Sequence, residues 1–133
     1  ASVVLQSRLF PDMFPLVKQV QVATDIAKGG MARLAGVEIP KYDDIEATFA
    51  AVQERLDTTL AFIKTISTEQ VDGNEAKIIT LVRKTGDVQM PALQYLQGFV
   101  IPNVYFHTVT TYNLLRHVGV PLGKLDFIQG SAQ

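Results

Sequence analysis

Apolar residues recur at spacings of three and four along most of the chain. From Met13 onward, Leu16, Val20, Ala23, Ala27, Met31 and Leu34 form one narrow stripe, with Lys18, Gln21, Asp25 and Lys28 on the opposite face. Pro11-Asp12 is a start signal, Pro15 is tolerated in a first turn whose amides have no intrahelical partner, and Gly36, with Pro40 beyond it, ends the helix. A second helix is predicted from Asp43 to Ile66, capped by Asp43 or Asp44 and with Glu46 in the first turn. Its stripe is Ile45, Phe49, Val52, Leu56, Leu60 and Ile63. After a polar connection from Ser67 to Gly73, the runs Ile78 to Val82 and Val88 to Met90 flank Lys84-Thr85-Gly86-Asp87, which predicts a short β-hairpin. A third helix is expected from Pro91 to Val118, kinked or split at Pro102 and stopped by Gly119-Val120-Pro121. Leu122 to Ile128 is a tail able to pack back. The pattern therefore predicts an all-α, antiparallel up-down bundle with a hairpin inserted before the last long helix, one domain over residues 1–133. The expected core is Leu16, Val20, Ala23, Ala27, Met31, Phe49, Val52, Leu56, Leu60, Ile63, Leu114 and Val118.

Composition narrows the classes. Hydrophobic residues make up 47% and charged ones 19%, so the chain can bury a core and is not a disordered linker. The net charge is −1 and the 12 Lys and Arg are scattered, which argues against nucleic acid as a partner. Apolar runs are broken by Lys, Gln or Asp well before the roughly 18 residues a membrane span needs. Cysteine is absent, which removes disulfides, thiolate nucleophiles and Cys-based zinc sites. A cytoplasmic protein is the resulting expectation. Ala1-Ser2-Val3-Val4-Leu5 opens in an apolar segment with neither Met nor cap, as the remainder of something longer would.

Candidate chemistry centres on one of the 2 histidines. With Asn103 at zero on a helical wheel of about 100° per residue, His107 falls at about 40°, among Leu114, Val118, Val104, Leu115 and Thr111. His107 and Asn103 thus form a polar pair on an inward stripe and need partners. The plainer reading is a core histidine satisfied by one hydrogen bond. His117 falls about 80° from His107 and reads as a solvated last-turn residue. Asp12 and Gln19 share one edge of the first stripe and can face the same interior space, although helix capping or dipole compensation is the plainer reading of Asp12 and a boundary position that of Gln19. Tyr42, Tyr95, Tyr105 and Tyr112 read as half-buried packing residues with wet hydroxyls, Tyr112 being also a candidate ligand contact. Gly29-Gly30 within a helix suggests close approach of another helix. HExxH, GxSxG and Walker motifs are missing.

Three strings carry a family resemblance: Arg8-Leu9-Phe10-Pro11-Asp12-Met13-Phe14-Pro15-Leu16; Leu34-Ala35-Gly36-Val37-Glu38-Ile39-Pro40; and Pro102-Asn103-Val104-Tyr105-Phe106-His107 followed by Tyr112-Asn113-Leu114-Leu115-Arg116-His117-Val118-Gly119-Val120. Together they resemble an uncharacterised, domain-of-unknown-function branch of the DinB/YfiT-like bundle superfamily. The resemblance implies an antiparallel four-helix bundle, often dimeric, with a further helix before the first string, so that Ala1 to Phe10 is the lead-in to the second helix. It also implies a divalent metal, zinc or nickel, held by one His on the second helix and a His-x-x-x-His pair on the last. Some members are thiol-dependent transferases or maleylpyruvate-isomerase-like enzymes. Here the pair corresponds to Asn103 and His107, and Asp12 is the nearest counterpart of the other ligand. An amide and a carboxylate in place of two imidazoles weaken and harden the site, so no bound cofactor is expected.

Three functions compete. The first is a small-molecule binder or enzyme with His107 as base, Asp12 setting its tautomer, and Asn103, Gln19 and Tyr112 contacting the ligand. The second is a non-catalytic oligomeric bundle, a homodimer in the simplest case, whose polar core residues fix register. The third is a weak metal site of His107, Asn103 and Asp12. Because three helices and a hairpin leave apolar stripes uncovered, a fourth helix from a preceding segment or a partner chain is also expected.

Overall fold

The computed structural model describes residues 2–130; Ala1, the first residue of the expected lead-in, lies outside them. A short helix α1 (Ser2–Leu5) leads into α2 (Leu16–Ala35), followed by α3 (Phe49–Lys64) and the single turn α4 (Thr68–Val71). The hairpin is β1 (Ile78–Leu81) against β2 (Val88–Pro91), antiparallel, with Ile79 opposite Met90 and Thr80 opposite Gln89. The last long helix runs through α5 (Ala92–Tyr95), a π-helical turn (Leu96–Val100) and α6 (Ile101–His117), and the tail closes as α7 (Lys124–Gln129). This is the expected class, a helical bundle with a small hairpin.

Local chemistry accounts for the boundaries and for where they differ from expectation. α2 starts at Leu16 rather than Met13, because Pro15 occupies its N-cap in an extended conformation, and it ends on Gly36 at φ 71°, the left-handed conformation that glycine tolerates best. α3 starts at Phe49, not Asp43. Thr48 is the cap, its side-chain oxygen accepting from the Ala51 amide, while the acidic residues before it are held extended by ion pairs described below. The last helix is interrupted at Pro102, as expected, by a π-helical turn that ends just before it. The backbone widens ahead of it, the Ile101 amide donating to Leu96 five residues back, which makes room for a ring that would clash with a carbonyl four residues earlier.

α2 packs against the final helix in antiparallel sense: Gln19 meets His107, and Arg33 meets Tyr95. The segment between α2 and α3 doubles back along α2, with Tyr42 at Lys28 and Asp44 at Lys18. α3 therefore sets out beside the first turns of α2 and runs in the same direction. Two cores result. Leu5, Leu16, Val17, Val20, Val52 and Leu114 form one, with Leu56 packed on it; Leu34, Ile79, Leu81, Ala92, Tyr95 and Val100 form the other under the hairpin. Gly30 lies between them, where an added Cβ would stand 2.8 Å from Val100 Cγ1. That close approach is the one expected of the glycine pair.

Several expected core positions are not core. Ala23, Ala27, Met31, Leu56 and Ile63 are half-buried, and Phe49, Leu60 and Val118 are exposed. The reason lies in α2, which sits between α3 and the final helix and is covered on both sides. Its supposedly outer Gln21 and Lys28 are buried, and α3 turns Val52, Arg55 and Thr59 inward. Among the described residues no helix is long and apolar enough to cross a membrane.

Candidate functional site

His107 is buried on the inward face of α6, and its Nδ1 lies 2.6 Å from Oε1 of Gln19, itself buried on α2. The Gln19 amide nitrogen donates to the carbonyl of Phe14, 3.2 Å away. That second bond fixes which end of the amide faces the ring: turned over, Gln19 would aim its oxygen at a carbonyl oxygen. Oε1 can only accept, so Nδ1 carries the proton and Nε2 keeps its lone pair. Burial pushes the His107 pKa down from its ordinary value, which favours this neutral form. Nε2 makes no hydrogen bond, yet the only buried side-chain polar atom without a partner among the described residues is the Tyr42 hydroxyl, so Nε2 meets solvent.

It does so in an open cleft of about 230 Å³ lined by Asp12, Met13, Phe14, Gln19, Phe106 and His107. Phe106 stands edge-on to the imidazole with ring centroids 5.1 Å apart. The loop before α2 supplies the rest of the wall, tied down by the Leu16 amide to Ser7 carbonyl bond of 2.9 Å and by the Arg8 guanidinium on the Met13 carbonyl. Of the two expected partners of His107, Gln19 is the one that reaches it. Asp12 is exposed at the cleft and makes no hydrogen bond to the ring, since α2 begins after it and it sits in a turn rather than on the helix face.

The other expected contacts go elsewhere. Asn103 donates its side-chain amide to the Phe99 carbonyl at 2.8 Å, within the helix and beside the backbone widened ahead of Pro102, and it is not part of the cleft lining. Tyr112 packs edge-on against Phe127 of α7, centroids 6.0 Å apart, in a separate apolar cleft with Val109 and Ile128. The set His107, Asn103, Asp12 is therefore not assembled around one point. No group of three His, Cys, Asp or Glu side chains suited to a metal occurs among the described residues. One imidazole and one exposed carboxylate fall short of the three protein ligands of a catalytic zinc site, so these residues do not fit the superfamily's metal.

Sequence reasoning missed the most heavily bonded residue of the domain. Arg55, on α3, has a side chain only 2% exposed and reaches three carboxylates: Asp25 at 2.7 Å, Glu46 at 3.1 Å and Asp44 at 3.2 Å. Its Nε donates to Thr24 Oγ1 at 2.7 Å. Glu46 also accepts from Gln21 at 2.8 Å, and Lys28 bonds Asp25 while lying 3.7 Å over the Tyr42 ring. Burial raises the Glu46 pKa, but hydrogen bonds from Gln21 and its own backbone, and the charge and hydrogen bond of Arg55, bring it below its ordinary value. The Lys18 hydrogen bond leads in holding Asp44 low. This network straps the 37–48 segment onto α2 and α3. The visible signal was a charged residue one position off the Val52–Leu56 stripe, which reads as solvated until the neighbouring carboxylates are placed.

A family model described as "Domain of unknown function (DUF1993)" matches residues 1–128. Among solved structures, the chain is similar to a DinB family member protein from Shewanella denitrificans, 38% identical with a TM-score of 0.86, over 99% of this chain and 74% of that one. No curated protein matches.

Proposed function

The chain belongs to the DUF1993 family of DinB-like helical domains, and we propose that it binds a small molecule in the cleft beside His107, with Nε2 as the atom that receives the ligand's proton or hydrogen bond. The observation that supports this is the relay Phe14 carbonyl, Gln19 amide, His107 Nδ1, which leaves an unprotonated nitrogen facing an open space. A ring needed only for packing would be satisfied by Gln19 and closed over by Leu, Val or Phe. Where the ligand carries an acidic O–H or N–H, the same nitrogen is a general base, and Asp12 at the rim favours the resulting imidazolium. The fold does not select a reaction.

Long-range ¹H–¹⁵N spectra of the two histidines test the first half: His107 should show the Nδ1-protonated tautomer at neutral pH. A small-molecule screen by chemical-shift perturbation tests the second. Ligands that move the Phe106 and Asp12 signals should lose binding in His107→Ala and Gln19→Leu. An Nε2-protonated ring, or ligands indifferent to both substitutions, would overturn the reading.

A second reading draws on the outward face of α6, where Ile101, Tyr105, Phe106 and Val109 are exposed, together with Phe49 and Leu60 on α3. Faces of this kind favour association with a second copy of the chain, and the homodimer is proposed on that ground.

A further inference from the structure

We infer that a second cleft, between the C-terminal half of α2 and residues 39–43, takes a small organic anion, a carboxylate or phosphate received by the guanidinium of Arg33. The cleft holds about 420 Å³ and is lined by Asp25, Lys28, Gly29, Arg33, Ile39, Pro40, Lys41, Tyr42 and Asp43. Arg33 lies fourteen residues beyond Gln19 on α2, roughly 20 Å along the axis at 1.5 Å per residue, so this is not the His107 site.

Arg33 is built into position. An added Cβ on Gly29, one turn earlier, would stand 2.8 Å from Arg33 Nη1, so the absence of a side chain there lets the guanidinium fold back across the helix. Nη1 then donates to the hydroxyl of fully buried Tyr95 at 3.1 Å, and Tyr95 is itself stacked on Phe99 with centroids 5.6 Å apart. Yet this oriented guanidinium has no carboxylate partner within 4.0 Å among the described residues, in contrast to Arg55, and neither has Lys41. An oriented guanidinium with free donors is the side chain best matched to a two-oxygen anion.

The remaining charges favour the same ligand. Asp25, one of the two acids lining the cleft, is already neutralised by Lys28 and Arg55. Asp43 is exposed. Ile39 and Pro40 supply an apolar wall for an organic body, and the Tyr42 ring separates this cleft from its neighbour around Arg55.

Calorimetric titration of the full chain with benzoate, phenyl phosphate and inorganic phosphate tests the proposal. At least one organic anion should bind saturably, and more tightly than inorganic phosphate. Arg33→Met should raise its Kd about ten- to hundredfold, the range of a charge-assisted bidentate contact. Gly29→Ala should weaken binding in the same direction by displacing the guanidinium, while circular dichroism stays that of the folded chain. His107→Ala should leave it unchanged, which separates failure here from failure of the His107 reading. No saturable binding of any probe at millimolar concentration, or binding that survives Arg33→Met, would refute the site.

Discussion

Replacing Arg55 by Met removes the cation that holds the 37–48 segment down while keeping most of the side-chain volume. Breaking a buried ion pair costs about 3–5 kcal/mol, because the partner is left charged and unpaired. Here the three carboxylates differ. The side chains of Asp25 and Asp44 are 42% and 39% exposed and turn to water when released, whereas Glu46 is 8% exposed and is stranded. The loss of the Arg55 donors to Thr24 and Glu46 adds little beyond that. The expected loss is therefore near the lower limit, about 3 kcal/mol in urea denaturation followed by circular dichroism at pH 7. Adding Glu46→Gln removes the stranded charge and should recover about 1–2 kcal/mol. The pH dependence has a definite sign. Asp44 and Glu46 have folded pKa values below their ordinary ones, so their contribution is present above the ordinary carboxylate range and lost as pH falls through the folded values. The gap between wild type and Arg55→Met should narrow below about pH 4. A loss under about 1 kcal/mol, or a gap indifferent to pH, would show that the network is decorative.

Three further outcomes follow from the packing. Gly30→Ala should cost about 1–3 kcal/mol by pushing a methyl into Val100, and Val100→Ala in the same chain should give part of it back, as thermal melts of the four variants would show. His107 has a folded pKa below its ordinary value, so the unfolded chain takes up the proton first: stability should fall as pH drops below about 6.5, and His107→Leu should flatten that slope. Gln19→Glu should reverse it, since a carboxylate on Nδ1 favours the charged ring and makes its contribution largest at low pH. Finally, sedimentation should show a species larger than one chain, dissociated by Tyr105→Glu on the exposed face of α6; a well-behaved monomer would remove the ground for the homodimer.

Element types were readable wherever period and punctuation agreed. The α2 stripe ended by Gly36, the hairpin around Gly86 and the approach at Gly30 all followed from local rules. What was not readable depended on partners distant in sequence. Asp43 and Asp44 look like helix caps until Arg55 and Lys18 draw that segment into an extended strap, and Lys28 looks solvated until Tyr42 covers it. His107 with Gln19 was legible because an imidazole and an amide on inward stripes must find each other or go unsatisfied. The separation of Asn103 and Tyr112 from that site was not, because it turns on the widened backbone before Pro102 and on where α7 folds back.

The π-helical turn also sets the phase of everything after it. Tyr95 and His107 are twelve positions apart, which on a regular helix puts them about 120° out of line. One extra residue accommodated in the turn Leu96–Val100 reduces this to about 20°. Tyr95 and His107 can then both address α2, one at Arg33 and the other at Gln19. The partners of Arg33 and Gln19 thus lie on one rod, brought into alignment by a single inserted position. Deleting Gly98 from the turn would leave the composition of both clefts intact while rotating either Tyr95 or His107 away from α2. In this bundle the spacing of chemistry along the last helix is as much a property of the residue count as of the residues themselves.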